Sequence, residues 1–353
     1  MAIASANTRS RTWRWVLRIG LLVLVALVII AVVRTMHDLN VGAIGTALGR
    51  LRWWEIVVLL AVLVLRQLLS ALPLTIYIPG VTFWRAFATD VTALTTAAFA
   101  SAPGKIAARV AIFSSGGIST GSALAGSVLN TLTMFVARFG IPIVGFLLVA
   151  VTGAYRPLQL LDMVSLAFAA VLVAAMLMVA SAQETALRLG RWAGRVAQRF
   201  RPRVEPERWA QACATFQQAA AGGLPRRLPR ASLVLAVMLG VEFALVLLAF
   251  RFVGVTPSDA STLAIATIFF FAYPLTMFPL QGVGVVDVAI LLALFGTGGG
   301  PAVDAATAGL LIWRALTVAG PYALAAIAVG IWRALARRQA RRQHGHPQRR
   351  PVD

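Results

Sequence analysis

The chain has 353 residues, 59% of them hydrophobic, with a mean hydropathy of +0.84 and a formal net charge of +20. Soluble domains are roughly 45–50% apolar, so the composition excludes an ordinary soluble enzyme or binding module. Several apolar runs reach the roughly 20 residues that a helix needs to cross a bilayer. They are continuous rather than alternating, which excludes a transmembrane barrel.

The positive charge is segregated. Four arginines lie in residues 1–18, ten in 181–230 and seven in 333–353, together 21 of the 32 basic residues. Basic segments beside membrane helices stay cytoplasmic. The expected arrangement is a multi-pass protein of a bacterial cytoplasmic membrane, with both termini and the central segment inside. No aromatic platform is interleaved with the arginines, so nucleic acid is not an expected partner. The single cysteine, Cys213, allows no intramolecular disulfide.

In chain order, residues 1–15 form a basic cytoplasmic N-terminus carrying Trp13 and Trp15, which suit a membrane interface. Residues 16–180 make a first membrane half. Its first helix, about 16–34, is too long for a signal-peptide core and is expected to be retained. A second, about 55–78, contains Arg66 and ends at Pro79-Gly80. Residues 83–118 are only moderately apolar and are broken at 101–104 by Ser-Ala-Pro-Gly, with Pro103 and Gly104 at the break. Two segments too short to span, interrupted in this way, predict a re-entrant hairpin. A long run, about 121–152, holds Arg138 and Pro142, and a further helix is predicted over 162–180.

Residues 181–230 read as a basic cytoplasmic loop. Within it, 184–200 is patterned as an amphipathic helix, lying on anionic headgroups or simply solvated. Residues 231–332 make a second membrane half. It has a helix over 231–250 with Glu242, a broken pair (260–278 and 283–296) around Pro279, a Gly-rich turn at 296–301, and a last helix over 304–332 with Arg314 and Pro321. Residues 333–353 are a basic tail, expected to be disordered. The predicted fold class is an all-α polytopic membrane protein: about six spanning helices plus two broken or re-entrant helical hairpins, eight or so hydrophobic segments, in an inverted repeat.

The repeat rests on one offset. Arg66 and Glu242 (242 − 66), Pro103 and Pro279 (279 − 103), and Arg138 and Arg314 (314 − 138) are each separated by 176 residues. Counting spans, the two halves enter the membrane from opposite sides, the arrangement that places broken helices near the midplane of transporters. An arginine at the centre of a spanning helix costs about 2.5–3.5 kcal/mol on insertion scales. Arg66, Arg138 and Arg314 together would cost on the order of 8–10 kcal/mol, comparable with the whole stability of a domain. They are therefore expected to be paired or to face a watery cavity, with Asp287 and Glu242 as partners. Asp287 also follows Gly282-Val283-Gly284, where an acid in a first helical turn suits the helix dipole.

The stretch Pro279-Leu-Gln-Gly282-Val-Gly284-Val-Val-Asp287, with Gly296 and Trp-Arg314-Ala-Leu beyond it, resembles the transmembrane, flippase-like domain of bacterial lysylphosphatidylglycerol synthases and its stand-alone relatives. The earlier Ala-Ser-Ala-Pro103-Gly104-Lys105-Ile-Ala-Ala-Arg109 with Gly116-Gly117-Ile-Ser-Thr resembles the first signature of that family, so the likeness covers roughly residues 15–335. The chain departs from the pattern at Leu280-Gln281, where the family has more Pro-Gly character. It also has Asp287 where the family usually has Glu, and Ala107-Ala108 where Gly-Glu is common. The resemblance implies the lipid-moving part of that chemistry without the aminoacyl-transferase domain.

An anionic phospholipid or polyprenyl-phosphate headgroup suits arginine's forked donors and helix N-termini. Lys105 (the only lysine), Arg109, Arg138, Arg314 and Asp287 are the candidate headgroup residues, and Arg66 and Glu242 are charge partners. Enzyme activity is not expected. His37, His344 and His346 assemble no nucleophilic triad and no metal-ligand spacing, and no phosphate-binding loop is present; neither metal nor cofactor is expected. The alternative function is a non-transporting scaffold that docks a cell-envelope glycosyltransferase or lipid-modifying enzyme through its basic segments. Oligomeric state is not legible.

Overall fold

The computed structural model describes residues 45–46, 49–97, 102–152, 183–200, 205–220, 224–296 and 299–327, with isolated helical positions at 167, 170, 171 and 174. Every regular element among these residues is helical. The helices predicted over 16–34 and 162–180, and the basic tail, lie outside the described residues apart from those isolated positions.

The helices are α1 (Trp53–Tyr77), α2 (Phe83–Ala97), α3 (Ala102–Ser115), α4 (Thr120–Gly140), α5 (Pro142–Thr152), α6 (Gln183–Phe200), α7 (Pro206–Ala220), α8 (Leu224–Phe252), α9 (Thr262–Ala272), α10 (Val285–Phe295) and α11 (Pro301–Arg314). A 3₁₀ segment, Tyr273–Met277, and a single turn, Pro279–Gly282, link α9 to α10. A π turn, Ala315–Ala319, carries α11 onward. Four stretches are long and apolar enough to cross a membrane: Trp53–Tyr77, Thr120–Val151, Arg226–Phe252 and Pro301–Ile327. Large apolar side chains such as Leu60, Val64, Leu147, Val151, Val237 and Ile327 are exposed along them. That is the surface a lipid-facing helix presents.

Local chemistry sets the ends. Glu55 accepts from the Arg52 N–H at 2.8 Å, satisfying one of the free donors at the start of α1, and Trp53 and Trp54 project outward there. Ser119 and Ser261 cap α4 and α9 through their hydroxyls. Pro142 opens α5, and Pro301, following Gly300, opens α11, where a missing N–H costs nothing.

Three boundaries differ from the sequence reading. The region 181–230 carries a second helix beyond the amphipathic one expected over 184–200. It holds α6 and α7, packed so closely that a β-carbon on Gly190 would sit 2.7 Å from Ala210 Cα and one on Gly194 2.5 Å from Pro206 Cα. The helix expected from residue 231 begins at Leu224, because Pro225 lies in its first turn, where proline is tolerated. The break in the second half is centred beyond Pro279, at Gln281, Gly282 and Gly284, which all have positive φ.

The long helices α1 and α8 run antiparallel. Trp54 meets Phe252 at one end, Arg66 meets Glu242 in the middle, and Leu74, Tyr77 and Ile78 share a core with Leu224, Leu228 and Ala231 at the other. Around this pair the packing order repeats. α1 packs on α2, α2 on α3, α3 on α4 and α4 back on α1; likewise α8 packs on α9, α9 on α10, α10 on α11 and α11 back on α8.

The hairpin of α2 and α3 is short. Ser70 Oγ donates to Asp90 Oδ2 at 3.0 Å, and this bond fixes the register of α2 against α1. At about 1.5 Å per residue, the end of α2 rises only to the level of Leu63, near the middle of α1. The N-terminus of α3 starts from that depth.

Candidate functional site

Three clusters of charge gather at this central level. In the first, Asp90 on α2 is buried and receives three groups: the Ser70 hydroxyl, the Arg109 guanidinium from α3, and the Lys105 ammonium at 3.3 Å. Lys105 and Arg109 are four apart on α3, so both side chains lie on the same helix face. Asp90 was not among the site residues read from sequence. Its segment is only moderately apolar, so nothing there distinguished a buried acid from a solvated one.

In the second, Arg66 Nε donates to Glu242 Oε2 at 2.6 Å. Glu242 Oε1 accepts from Trp313 Nε1 at 3.2 Å. Arg66 also donates to the Gln67 side-chain oxygen and lies within electrostatic range of Tyr273. Each carboxylate oxygen of Glu242 therefore has a donor, as a buried charge requires.

In the third, Arg314 Nε donates to both oxygens of Asp287, at 2.8 and 3.1 Å. Its Nη1 donates to the Gln281 carbonyl at 3.0 Å and its Nη2 to that of Gly282 at 3.5 Å. The guanidinium stacks 4.1 Å from the Trp313 ring centroid, a favourable cation–π placement. Asp287 Oδ2 also accepts from the Gly284 N–H at 2.7 Å, capping α10. Arg314 thus fastens the broken segment to α11, and Asp287 acts both as helix cap and as counter-ion. Neither Arg109 nor Arg138 is its partner. Gly282 is required at this break: a β-carbon there would lie 2.5 Å from the Leu275 carbonyl oxygen.

Arg138, on the last turn of α4, makes no ion pair among the described residues, and its buried Nε has no hydrogen-bond partner. It lies within electrostatic range of Tyr273, as does Arg66. Pro103 and Gly104 lie in the first turn of α3, and Pro279 opens the single turn before Gly282. Five cations (Arg66, Lys105, Arg109, Arg138, Arg314) therefore share three carboxylates (Asp90, Glu242, Asp287), a surplus of two positive charges. Among the described residues, four further buried atoms are also unpartnered: Gln67 Nε2, Arg109 Nε, Ser127 Oγ and Asn130 Oδ1. Unpaired charge is costly in an interior and unmet polar atoms there are uncommon, so these groups are the chemically distinctive ones among the described residues. No group of His, Cys, Asp or Glu suited to a metal ion occurs among the described residues.

Comparisons with protein families, curated proteins and solved structures found no match to this chain. The chemistry of the site therefore has to carry the functional reading.

Proposed function

We propose that this protein is an integral membrane transporter that moves an anionic lipid, a phospholipid or a polyprenyl-phosphate-linked lipid, between the two leaflets. The observation that carries the reading is the surplus of positive charge at the buried centre, with the unpartnered Nε of Arg138 beside it. A phosphate would supply the missing negative charge and acceptors, with arginine as its natural donor.

The architecture supports the same reading. The order of packing repeats at an offset of 176 residues, and the two equivalent long helices run antiparallel. If both cross the membrane, the two halves form an inverted repeat, and their short hairpins enter from opposite faces to meet near the midplane, as in secondary transporters. On this reading the arginine-rich α6 and α7 are cytoplasmic, in a bacterial plasma membrane. The resemblance to the flippase-like domain of lysylphosphatidylglycerol synthases agrees with a lipid substrate and is part of the proposal.

The deciding experiment is movement of labelled anionic lipids in proteoliposomes, comparing wild type with Arg138→Ala and Asp287→Asn. Wild type is expected to move lipid, and both variants to lose most of that movement while remaining folded. Full activity in both variants would overturn the site. Absence of movement across a broad lipid panel would favour the scaffold reading.

A further inference from the structure

α4 carries a polar stripe that the charge clusters do not use. Ser127, Asn130 and Arg138 stand at spacings of three and eight, with Met134 between the last two, and so share one face of the helix. Ser127 is fully buried and Asn130 is 3% exposed, yet Ser127 Oγ and Asn130 Oδ1 have no partner among the described residues. The packing of α4 on α1 sets their depth. Ile78 packs on Gly126, and the Tyr77 hydroxyl bonds Thr133 Oγ1 at 2.7 Å. Because Arg138 is twelve residues beyond Gly126, and Arg66 is twelve before Ile78, the two arginines are level, about 18 Å along each helix from that contact. Ser127 and Asn130 therefore lie between the foot of α4 and the charged centre. The foot carries the exposed residues Ser115, Ser119 and Thr120, at the end where α8 leaves the arginine-rich pair α6 and α7.

The unmet atoms differ in kind. Arg138 Nε, Arg109 Nε and Gln67 Nε2 are donors only, Asn130 Oδ1 is an acceptor only, and the Ser127 hydroxyl is either. A bare phosphate offers acceptors alone and meets Asn130 only where its amide turns to present Nδ2, whereas a hydroxyl meets the amide in either orientation. An ammonium-bearing headgroup offers donors, but its charge would meet the surplus positive field. A neutral hydroxyl meets both demands.

We propose that this face of α4 is a headgroup track, and that its ligand is a phosphodiester lipid with a hydroxyl-bearing headgroup, a polyol or sugar, entering from the arginine-rich side. The inference rests on the transport reading above and narrows its substrate. The phosphate seats among the donors at the level of Arg138, while the hydroxyls bond Asn130 and Ser127 on the way.

The test compares labelled phosphatidylglycerol, phosphatidylinositol, phosphatidic acid and phosphatidylethanolamine in proteoliposomes containing wild type, Asn130→Leu or Ser127→Ala. Wild type is expected to move the two polyol lipids about tenfold faster than the other two, a difference of the size one or two hydrogen bonds supply. Asn130→Leu should abolish the preference, bringing the polyol lipids and phosphatidic acid to about the same rate. Should Asn130→Leu fail to fold, the smaller change Ser127→Ala is expected to narrow the same preference. Thermal protection of the detergent-solubilised wild type, greater with phosphatidylglycerol than with phosphatidic acid, gives a readout that needs no transport. Equal rates for all anionic lipids, or a preference that survives both substitutions, would overturn the track and leave anionic-lipid transport standing. Absence of movement for every lipid would overturn both.

Discussion

Arg66 and Glu242 stand 176 residues apart in sequence, and the Nε of one lies 2.6 Å from the Oε2 of the other. The separation equals the offset that relates Pro103 to Pro279 and Arg138 to Arg314, so each member of the pair occupies the other's equivalent position. Removing one partner leaves a buried charge unmet, at a cost of about 3–5 kcal/mol, whereas replacing both by apolar groups is often close to neutral. Arg66→Met and Glu242→Met should each lower the unfolding temperature in detergent, and the double variant should recover most of the loss. Unchanged stability in both single variants would contradict the pairing.

Arg314 satisfies a carboxylate and two backbone carbonyls at once. A lysine keeps the charge but cannot span all three positions. Arg314→Lys is therefore expected to lose about 1.5–3 kcal/mol, the size of a hydrogen bond to a charged group. Amide exchange should rise selectively over residues 279–288, the segment that Arg314 fastens; exchange rising equally throughout the chain would argue against so local a role.

Two glycines with nearly the same φ should respond differently to alanine. Gly282 (φ 70°) has the Leu275 carbonyl oxygen in the space a β-carbon would fill, while Gly296 (φ 71°) has nothing within 4 Å. Gly296→Ala should cost only the penalty of placing a side chain in its glycine-favouring backbone conformation (φ 71°, ψ −153°), about 1–3 kcal/mol. Gly282→Ala should cost clearly more, because the backbone itself has to move. Thermal unfolding of the two variants side by side measures the difference.

Cys213 on α7 is half-buried, and burial pushes its thiol pKa up. Since the thiolate is the reactive form, a maleimide should modify it more slowly than a free cysteine at neutral pH. The rate should rise with pH over a higher range than for a free thiol. Gly194→Val, which forces α6 away from α7, is expected to speed labelling while leaving the membrane helices unaffected. An impermeant maleimide should reach Cys213 only from the cytoplasmic side. Labelling from outside intact cells would reverse the proposed orientation.

What the sequence disclosed followed from the rarity of charge in apolar runs. Arg66, Glu242, Arg138, Arg314 and Asp287 stood out because a charge in hydrocarbon demands an explanation, and Pro and Gly located the breaks to within a few residues. Asp90 was hidden by its moderately polar surroundings. α6 was legible as an amphipathic stretch over 184–200, whereas α7, less strongly patterned, had the look of a loop. The available signal was Gly190 and Gly194, four apart on one helix face, the spacing that lets two helices approach closely. Gln67 and Asn130 were legible in principle, as amides within apolar runs, but neutral side chains raise less suspicion than charges.

The position of Arg66 and Glu242 restricts what the chain can assemble into. Two identical half-chains arranged as a symmetric dimer would set this residue opposite its own copy, and no single side chain is its own counter-ion. Joining the halves in one polypeptide lets the two positions carry opposite signs. An exchange of halves between neighbouring molecules that paired first half with first half would bring Arg66 against Arg66 in a low-dielectric interior, where like charges repel strongly. The pair therefore stabilises the union of two different halves and opposes the union of two equal ones.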